Sequence, residues 1–237
     1  MTAMLELRQV SKTLRDGPRD IAVLRDIELV LERGEYAVVW GPRGSGRSTL
    51  LRIAAGIEAP DCGSVRFEGC EVCGRGGELA AGIGYCHLRF GHGEGRGALD
   101  SVIMPLLAAG VAPARARTRA EAALERCGAL AVRRHPVTGL ERAEAVRVAL
   151  ARTIATEPRL VVIDDPTQGV ELMQRDGVLL LLRTLASEGI SVLACTGEPT
   201  GLSGADRTLA LSEGRLRGGS AVATEPATVV PLRRAVG

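Results

Sequence analysis

A continuous apolar run, a glycine-rich loop and a helical pattern follow one another between residues 36 and 55. The run, YAVVW, is typical of a strand buried in a parallel sheet. The loop, GPRGSGRST, spans residues 41–49, and residues 48–55 are predicted to form a helix. Strand, glycine loop and helix in this order predict a phosphate-binding loop, because backbone N–H groups and the helix N-terminus can surround an anion. Arg47 stands where the motif G-x-x-x-x-G-K-[ST] has its lysine.

The segments around this unit predict an α/β fold with a mainly parallel sheet. Residues 5–10 and 27–31 alternate apolar and polar positions, which favours antiparallel strands at the start of the chain. Strands that alternate with helices farther along favour a parallel sheet. The predicted elements there are helices in 116–127 and 146–154, a buried strand at 160–163, a helix in 179–186, a strand at 191–196 and a hairpin in 209–216.

Several stretches interrupt that alternation. Residues about 85–145 favour helices and predict a separate helical lobe, although Pro105 is expected to break the apolar stretch 100–109. Residues 61–98 are rich in glycine and cysteine, with a surface hairpin and a flexible loop at 91–97. From about residue 218 the composition predicts a loose tail. The expected organisation is one domain over residues 1–217 and a C-terminal tail over 218–237.

Composition narrows the classes of function. The chain has 237 residues, a net charge of +2 and only 2% aromatic residues, which argues against a nucleic-acid binder with a basic face and stacking platforms. No run of about 18 apolar residues and no signal pattern is present, so we expect a chain that does not itself cross a membrane and works in the cytosol.

The six cysteines leave two readings open. Cys70 and Cys73 have a C-x-x-C spacing, and Cys62, Cys86 and His87 are near in sequence, which would suit a metal site. The second half of a regular zinc spacing is missing, however. Free thiols on a surface hairpin and loop, as expected in a reducing compartment, are the favoured alternative.

Three segments at this spacing resemble the nucleotide-binding subunit of an ATP-binding-cassette (ABC) transporter. They are the glycine loop, the strand LVVI followed by Asp164, Asp165 and Pro166, and the run RVALAR at residues 147–152 between them. The resemblance covers about residues 4–217. The run PLLAAGV, residues 105–111, is similar to the macrolide-export and lipoprotein-release branch. The resemblance implies a P-loop NTPase (RecA-like) parallel sheet core, an N-terminal antiparallel β-subdomain and a helical subdomain.

The resemblance also implies two ligands, ATP and Mg²⁺, and the residues that hold them. Ser48 and Asp164 match the groups that bind Mg²⁺. Asp165 takes the place of the catalytic glutamate and is one methylene shorter, so its carboxylate would fall short of the attacking water. The implied nucleotide-binding residues are Gly41, Gly44, Ser45, Gly46, Arg47, Ser48 and Thr49.

Many polar positions of the family pattern are nevertheless changed. Leu14 replaces the aromatic residue that stacks on adenine, Leu88 replaces the glutamine of the glutamine loop, and Gly197 replaces the switch histidine. His87 is an alternative source of a polar group beside Leu88. The signature LSGGQ corresponds to LERAE, residues 140–144, so the carboxylate of Glu141 stands where a serine would bind phosphate. The loop after Asp165 is also altered, at 168–171.

These changes lead to one main hypothesis and two alternatives. The main hypothesis is a degenerate ATP-binding subunit with weak or absent hydrolysis at the cytoplasmic face of the cell membrane. Its implied partners are a transmembrane permease, docked in a groove near 85–107, and a second nucleotide-binding subunit, a different and competent chain being favoured over a second copy. One alternative is a slow but genuine ATPase that uses Arg47, Asp164 and Asp165. The other is an ABC-like protein without a permease. The transported substrate and the direction of transport stay open.

Overall fold

Two β-sheets enclose the helix that follows the glycine loop. The computed structural model of the chain describes residues 3–16, 19–72, 81–90 and 97–218. The smaller sheet is antiparallel, with the strand order β2-β1-β4-β5. Its strands are β1 (Leu5–Asp16), β2 (Arg19–Leu31), β4 (Cys62–Phe67) and β5 (Cys70–Glu71). It confirms the antiparallel strands predicted at the start of the chain.

The larger sheet has six strands in the order β10-β9-β3-β8-β7-β6. Five of them are parallel, and β10 is antiparallel to β9 at the edge. In β3, β7 and β8 the runs 36–39, 160–163 and 192–195 are apolar and buried, which is why they appear in the sequence as continuous apolar runs. The strands are β3 (Tyr36–Trp40), β6 (Ile83–Cys86), β7 (Leu160–Asp164), β8 (Ser191–Thr196), β9 (Arg207–Ser212) and β10 (Arg215–Gly218).

Helices cover both faces of the larger sheet. Helix α1 (Arg47–Ala54) lies between the two sheets, and its Leu50, Leu51 and Ile53 belong to the core that the sheets share. A second core forms beneath the remaining helices and the opposite face of the larger sheet. Those helices are α2 (Ala98–Ala108), α3 (Pro113–Arg126), α4 (Arg142–Ile154) and α5 (Leu172–Ser187). Since β3, β8, β7 and β6 are parallel neighbours, their carboxyl ends meet at one edge of the sheet.

The prediction that Pro105 breaks its apolar stretch is wrong, because α2 runs through it. The missing proline N–H costs only one helical bond, that of the Ser101 carbonyl, and the next bond, Ala109 N–H to Pro105 O, is intact at 3.0 Å. Leu106, directly after the proline, is 1% exposed, so burial favours continuing the helix.

Other predicted segments end differently or lie outside the described residues. The hairpin predicted at 209–216 forms, but its second strand extends to Gly218, which pairs with Leu209, so the first residue of the predicted tail is in a strand. The rest of that tail, 219–237, lies outside the described residues, as do 91–96 of the predicted flexible loop and Cys73 of the C-x-x-C pair.

Candidate functional site

A pocket of about 780 Å³ opens where the parallel strands end. The glycine loop after β3 and the segments after β6 and β7 form its walls, and Leu14 and Val23 of the antiparallel sheet contribute an apolar side. The sequence-predicted residues Gly44, Gly46, Arg47, Ser48, Thr49, Asp164 and Asp165 all line it. Fold topology therefore brings together residues that are more than a hundred positions apart.

Packing, as well as phosphate geometry, requires glycine in the loop. Gly46 has φ +101°, and a Cβ there would lie 2.5 Å from the Val23 carbonyl oxygen. At Gly41 a Cβ would lie 2.3 Å from the Leu211 carbonyl oxygen. These approaches hold the loop backbone against β2 and β9. Within the loop, the Ser45 hydroxyl oxygen is buried and has no hydrogen-bond partner among the described residues.

Ser48 and Asp164 lie together, as a magnesium site requires. The Ser48 hydroxyl donates to Asp164 Oδ2 at 2.5 Å, and Asp164 Oδ1 is buried without a hydrogen-bond partner in the described part of the chain. Burial raises the pKa of Asp164, the Asp165 charge raises it further, and the Ser48 hydrogen bond opposes both. A hydroxyl and an unsatisfied carboxylate oxygen are ligands that Mg²⁺ prefers, so these two residues fit the ion.

Arg47 reaches Asp165 across the floor of the pocket. Its Nη1 lies 3.1 Å from Asp165 Oδ1, and the side chains are only 12% and 22% exposed. The same carboxylate oxygen accepts the Gly197 N–H at 2.8 Å. Asp165 has φ +45°, and its own N–H donates to the Cys195 carbonyl at 2.9 Å, so its backbone is held between β7 and β8. The carboxylate at the catalytic-glutamate position is therefore already engaged by a cation and an amide.

Gly197 provides the space that Arg47 occupies. A Cβ at residue 197 would lie 3.1 Å from both Nη1 and Nη2 of the guanidinium, which is tighter than nine in ten real Cβ contacts. The position that the resemblance assigns to a switch histidine is thus filled from the neighbouring segment. The sequence shows only that Gly197 lacks the histidine side chain of the family pattern. Nothing in it indicates that Arg47, 150 positions earlier, fills that space.

The other changed positions also border the pocket. Leu14 presents an aliphatic side chain where adenine stacking was expected. Leu88 lies in the wall and packs, partly buried, against the core beneath the helices α2 to α5. His87 is exposed beside it, and the centre of its ring lies 4.7 Å from the centre of the Tyr85 ring. Partial burial and the nearby Arg152 lower the pKa of His87. His87 and Arg89 are the polar side chains adjacent in sequence to the glutamine position, and both line the pocket.

The pocket carries an excess of positive charge suited to an anion. Among its described lining residues are four arginines, against two carboxylates. The cationic residues are Arg43, Arg47, Arg89 and Arg142, and the anionic ones are Asp164 and Asp165. Such a balance favours a polyphosphate ligand.

Arg142 is a lining residue that sequence reasoning placed only in the signature segment. Its Nε donates to the Gln168 carbonyl at 2.9 Å and its Nη1 to the Leu88 carbonyl at 3.4 Å. The first helical residue of α4 thus ties the helical lobe to the segments after β6 and β7. No signal in the sequence indicates this, because the three segments are far apart along the chain.

The N-terminus of α4 is capped by its own carboxylates. Glu144 accepts the Glu141 N–H at 3.0 Å, and the Glu141 side chain accepts a first-turn N–H in return. Gln174 Nε2 also lies 3.3 Å from Glu141 Oε2. Negative charge therefore already occupies a helix end that would otherwise favour a phosphate.

The alternative metal site finds no support in the part of the chain that the structure describes. No group of three or more His, Cys, Asp or Glu residues there is placed to hold a metal ion. Cys62 and Cys70 are exposed and Cys86 is buried, all as free thiols. Among the same residues, no helix is both long and apolar enough to cross a membrane.

Comparisons with known proteins agree with this geometry. The family model described as ABC transporter matches residues 24–168. The lipoprotein-releasing system ATP-binding protein LolD of Chromohalobacter salexigens is 34% identical over 221 residues, covering 90% of this chain and 92% of that protein. The macrolide export ATP-binding/permease protein MacB 1/2 of Paracoccus denitrificans is 33% identical, covering 90% of this chain and 33% of that longer protein. The dimeric structure of the bacterial ABC transporter cassette MJ0796 superposes with a TM-score of 0.81 at 25% identity, covering 92% of this chain and 98% of that one.

Proposed function

The chain belongs to the ABC transporter family of ATP-binding proteins, and from that membership we propose that it is a nucleotide-binding subunit with weak or absent ATP hydrolysis. Its work is to bind nucleotide, complete a pair of ATP-binding subunits and dock a transmembrane permease. The observation that carries the proposal is the Arg47–Asp165 ion pair, because it engages the one carboxylate at the catalytic-glutamate position.

Three features of the pocket support weak hydrolysis. Asp165 Oδ1 already accepts hydrogen bonds from Arg47 and from the Gly197 N–H, so this oxygen is engaged by the protein and not by an attacking water. Asp165 is also one methylene shorter than glutamate, and a displacement of about 1 Å can cost on the order of a hundredfold in rate. Gly197 and Leu88 supply no polar side chain to hold the attacking water.

Nucleotide binding keeps more of its machinery than hydrolysis. Gly44, Gly46 and the arginine-rich wall would hold the phosphates of ATP, while Leu14 and Val23 would contact the base. Ser48 and Asp164 would hold Mg²⁺, which when bound neutralises phosphate charge. Arg47 presents a broad, planar guanidinium in place of a compact ammonium, so we expect phosphate to be bound but less closely fitted.

A slow but genuine ATPase using Arg47, Asp164 and Asp165 is the second candidate. The Ser48–Asp164 contact favours it, because that pair has kept both the residue types and the geometry of a metal site. In this case the Arg47–Asp165 pair would have to open during each turnover for Asp165 to orient water.

The partners follow from the relatives and from two exposed surfaces. LolD is named for a lipoprotein-releasing system and MacB for macrolide export with its own permease, so we propose a transporter of that branch at the cytoplasmic face of the membrane. Met104 and Leu107, on α2, are 46% and 38% exposed and border the proposed permease groove near 85–107, of which 91–96 lie outside the described residues. The capped α4 N-terminus favours a different second subunit over another copy, since in a pair of identical copies Glu141 would place like charge against the nucleotide at both sites.

The proposal is tested by separating binding from turnover. Titration calorimetry of the purified chain with Mg-ATP is expected to show binding that Arg47→Ala abolishes. ATP hydrolysis is then measured on the chain assembled with its permease and second subunit, with Asp165→Asn as the comparison. Turnover well below about 1 s⁻¹, the low end of ordinary enzymes, is expected, with little further loss in Asp165→Asn. Turnover above that value that Asp165→Asn abolishes would sink the proposal and favour the ATPase.

A further inference from the structure

Three chain segments converge on one oxygen atom in the floor of the pocket. Asp165 Oδ1 accepts from Arg47 Nη1 at 3.1 Å and from the Gly197 N–H at 2.8 Å. Arg47 is the first residue of α1, Asp165 directly follows β7 and Gly197 directly follows β8. The contact therefore connects the start of the loop helix to the ends of two neighbouring strands.

The placement of the guanidinium depends on both neighbours. Asp165 attracts it, and Gly197 leaves the volume in which both of its terminal nitrogens lie, 3.1 Å from where a Cβ would be. A Cβ at 197 would crowd the guanidinium, which would have to shift by a few tenths of an ångström to accommodate it. Only 12% of the Arg47 side chain is exposed, so solvent does not screen the pair fully.

We propose that Asp165 and Gly197 are positioning residues that hold Arg47 as an internal ion pair, and that a nucleotide phosphate binds by competing with Asp165 for this guanidinium. This inference rests on the proposed nucleotide binding and adds a mechanism that limits its affinity. Asp165 opposes the phosphate twice, because it occupies a terminal N–H donor of the guanidinium and because its negative charge repels the incoming anion.

If Asp165 competes with phosphate, removing its charge should lower the stability of the free chain and raise its affinity for ATP. Removing the Asp165 charge takes a partner from a mostly buried cation, so the free chain should become less stable. The same change releases Arg47 for phosphate and removes a repulsive charge, so ATP should bind more tightly. An ion pair that only maintained the fold would lower both quantities when broken.

The test uses Asp165→Asn, which removes the charge and keeps an oxygen that can accept the Gly197 N–H. Calorimetry with metal-free ATP should show about a fivefold gain in affinity, the size expected for relief of one partly exposed pair. Urea unfolding should show lower stability than wild type. The control is Asp20→Asn, which also removes one negative charge but lies outside the pocket in an exposed pair with Arg15, and it should change neither quantity.

Making Asp165→Asn in the Arg47→Ala variant tests whether its effects come from the Arg47–Asp165 pair. There, Asp165→Asn should no longer reduce stability, because the partner is already gone. Gly197→Ala is a second variant, expected to crowd the guanidinium away from Asp165 and to raise affinity in the same direction.

Several results would overturn the inference. These are unchanged or weaker ATP binding by Asp165→Asn, no detectable ATP binding by either wild type or Asp165→Asn, or a stability loss that persists without Arg47. The proposed function fails separately, since rapid turnover of the assembled complex combined with tighter ATP binding by Asp165→Asn would reject weak hydrolysis and retain the competition.

Discussion

Gly84 of β6 lies against Thr153 of α4, and replacing it tests how tightly the pocket wall is held. A Cβ there would lie 2.5 Å from Thr153 Cγ2 and 3.2 Å from Pro158 Cγ, so Gly84→Ala forces the strand and the helix apart. Overpacking of this kind costs about 1–3 kcal/mol. For a chain of this size each kcal/mol lowers the melting temperature by about 2–4 °C, so we expect a drop of about 2–12 °C.

The structure also identifies the change that should relieve the clash. Thr153→Ser removes Cγ2 and keeps the hydroxyl, which donates to the Ala149 carbonyl at 2.9 Å. Alone it should cost about 0.8 kcal/mol for one lost methyl group. Combined with Gly84→Ala it should cost less than the sum of the two single changes, because the atom that collides is absent.

Urea unfolding followed by circular dichroism measures the free energy of unfolding of wild type, of the two single variants and of the double variant. A coupling of about 1 kcal/mol in favour of the double variant is expected. Additive losses would show that the close approach to the Thr153 methyl is not what excludes a side chain at Gly84. Because β6 continues into the wall formed by Tyr85 and Leu88, ATP affinity should fall in Gly84→Ala and recover in the double variant.

Two further predictions concern the metal position and the antiparallel sheet. Ser48→Ala should weaken binding of Mg-ATP by about tenfold and leave metal-free ATP nearly unaffected, as calorimetry with and without Mg²⁺ would show; equal losses in both would contradict a metal role. The Thr13 N–H and Lys12 lower the pKa of Asp61 below its ordinary value of 3.8. That carboxylate therefore stabilises the fold above the unfolded pKa and loses its effect as the pH falls through the folded pKa. Asp61→Asn should be less stable than wild type at pH 7 in urea unfolding, and the difference should shrink below pH 3.8; a difference that persisted in acid would refute the assignment.

The elements that position the site were predictable because their signals are local. The runs at 36–40 and 160–163 are apolar without alternation, which is typical of a strand covered on both faces. The glycine loop between a buried strand and a helix has few other structural interpretations. The prediction at Pro105 failed because burial of Leu106 outweighs one lost hydrogen bond, and the sequence shows the proline without showing the burial.

The contacts inside the pocket were less accessible to sequence reasoning. The meeting of Ser48 and Asp164 follows from the motifs that contain them, since both lie where parallel strands end. The turn of Arg142 toward the Gln168 carbonyl does not follow from any motif, because it depends on which volume is free once the helical lobe has packed. Side-chain direction is set by tertiary space, which residue type alone does not encode.

The changes at residues 47, 165 and 197 are better understood together than as three separate losses. Relative to the family pattern, the side chain grows at Arg47, shortens at Asp165 and disappears at Gly197. In the folded chain these differences compensate in volume and charge, since the longer cation fills the space left at 197 and pairs with the shorter acid. The first side-chain atom of a histidine at 197 would lie 3.1 Å from the guanidinium nitrogens, so Arg47 would have to shift to make room for it. The three residues therefore constrain one another as a unit, so a change at one of them is expected to alter the effect of a change at another.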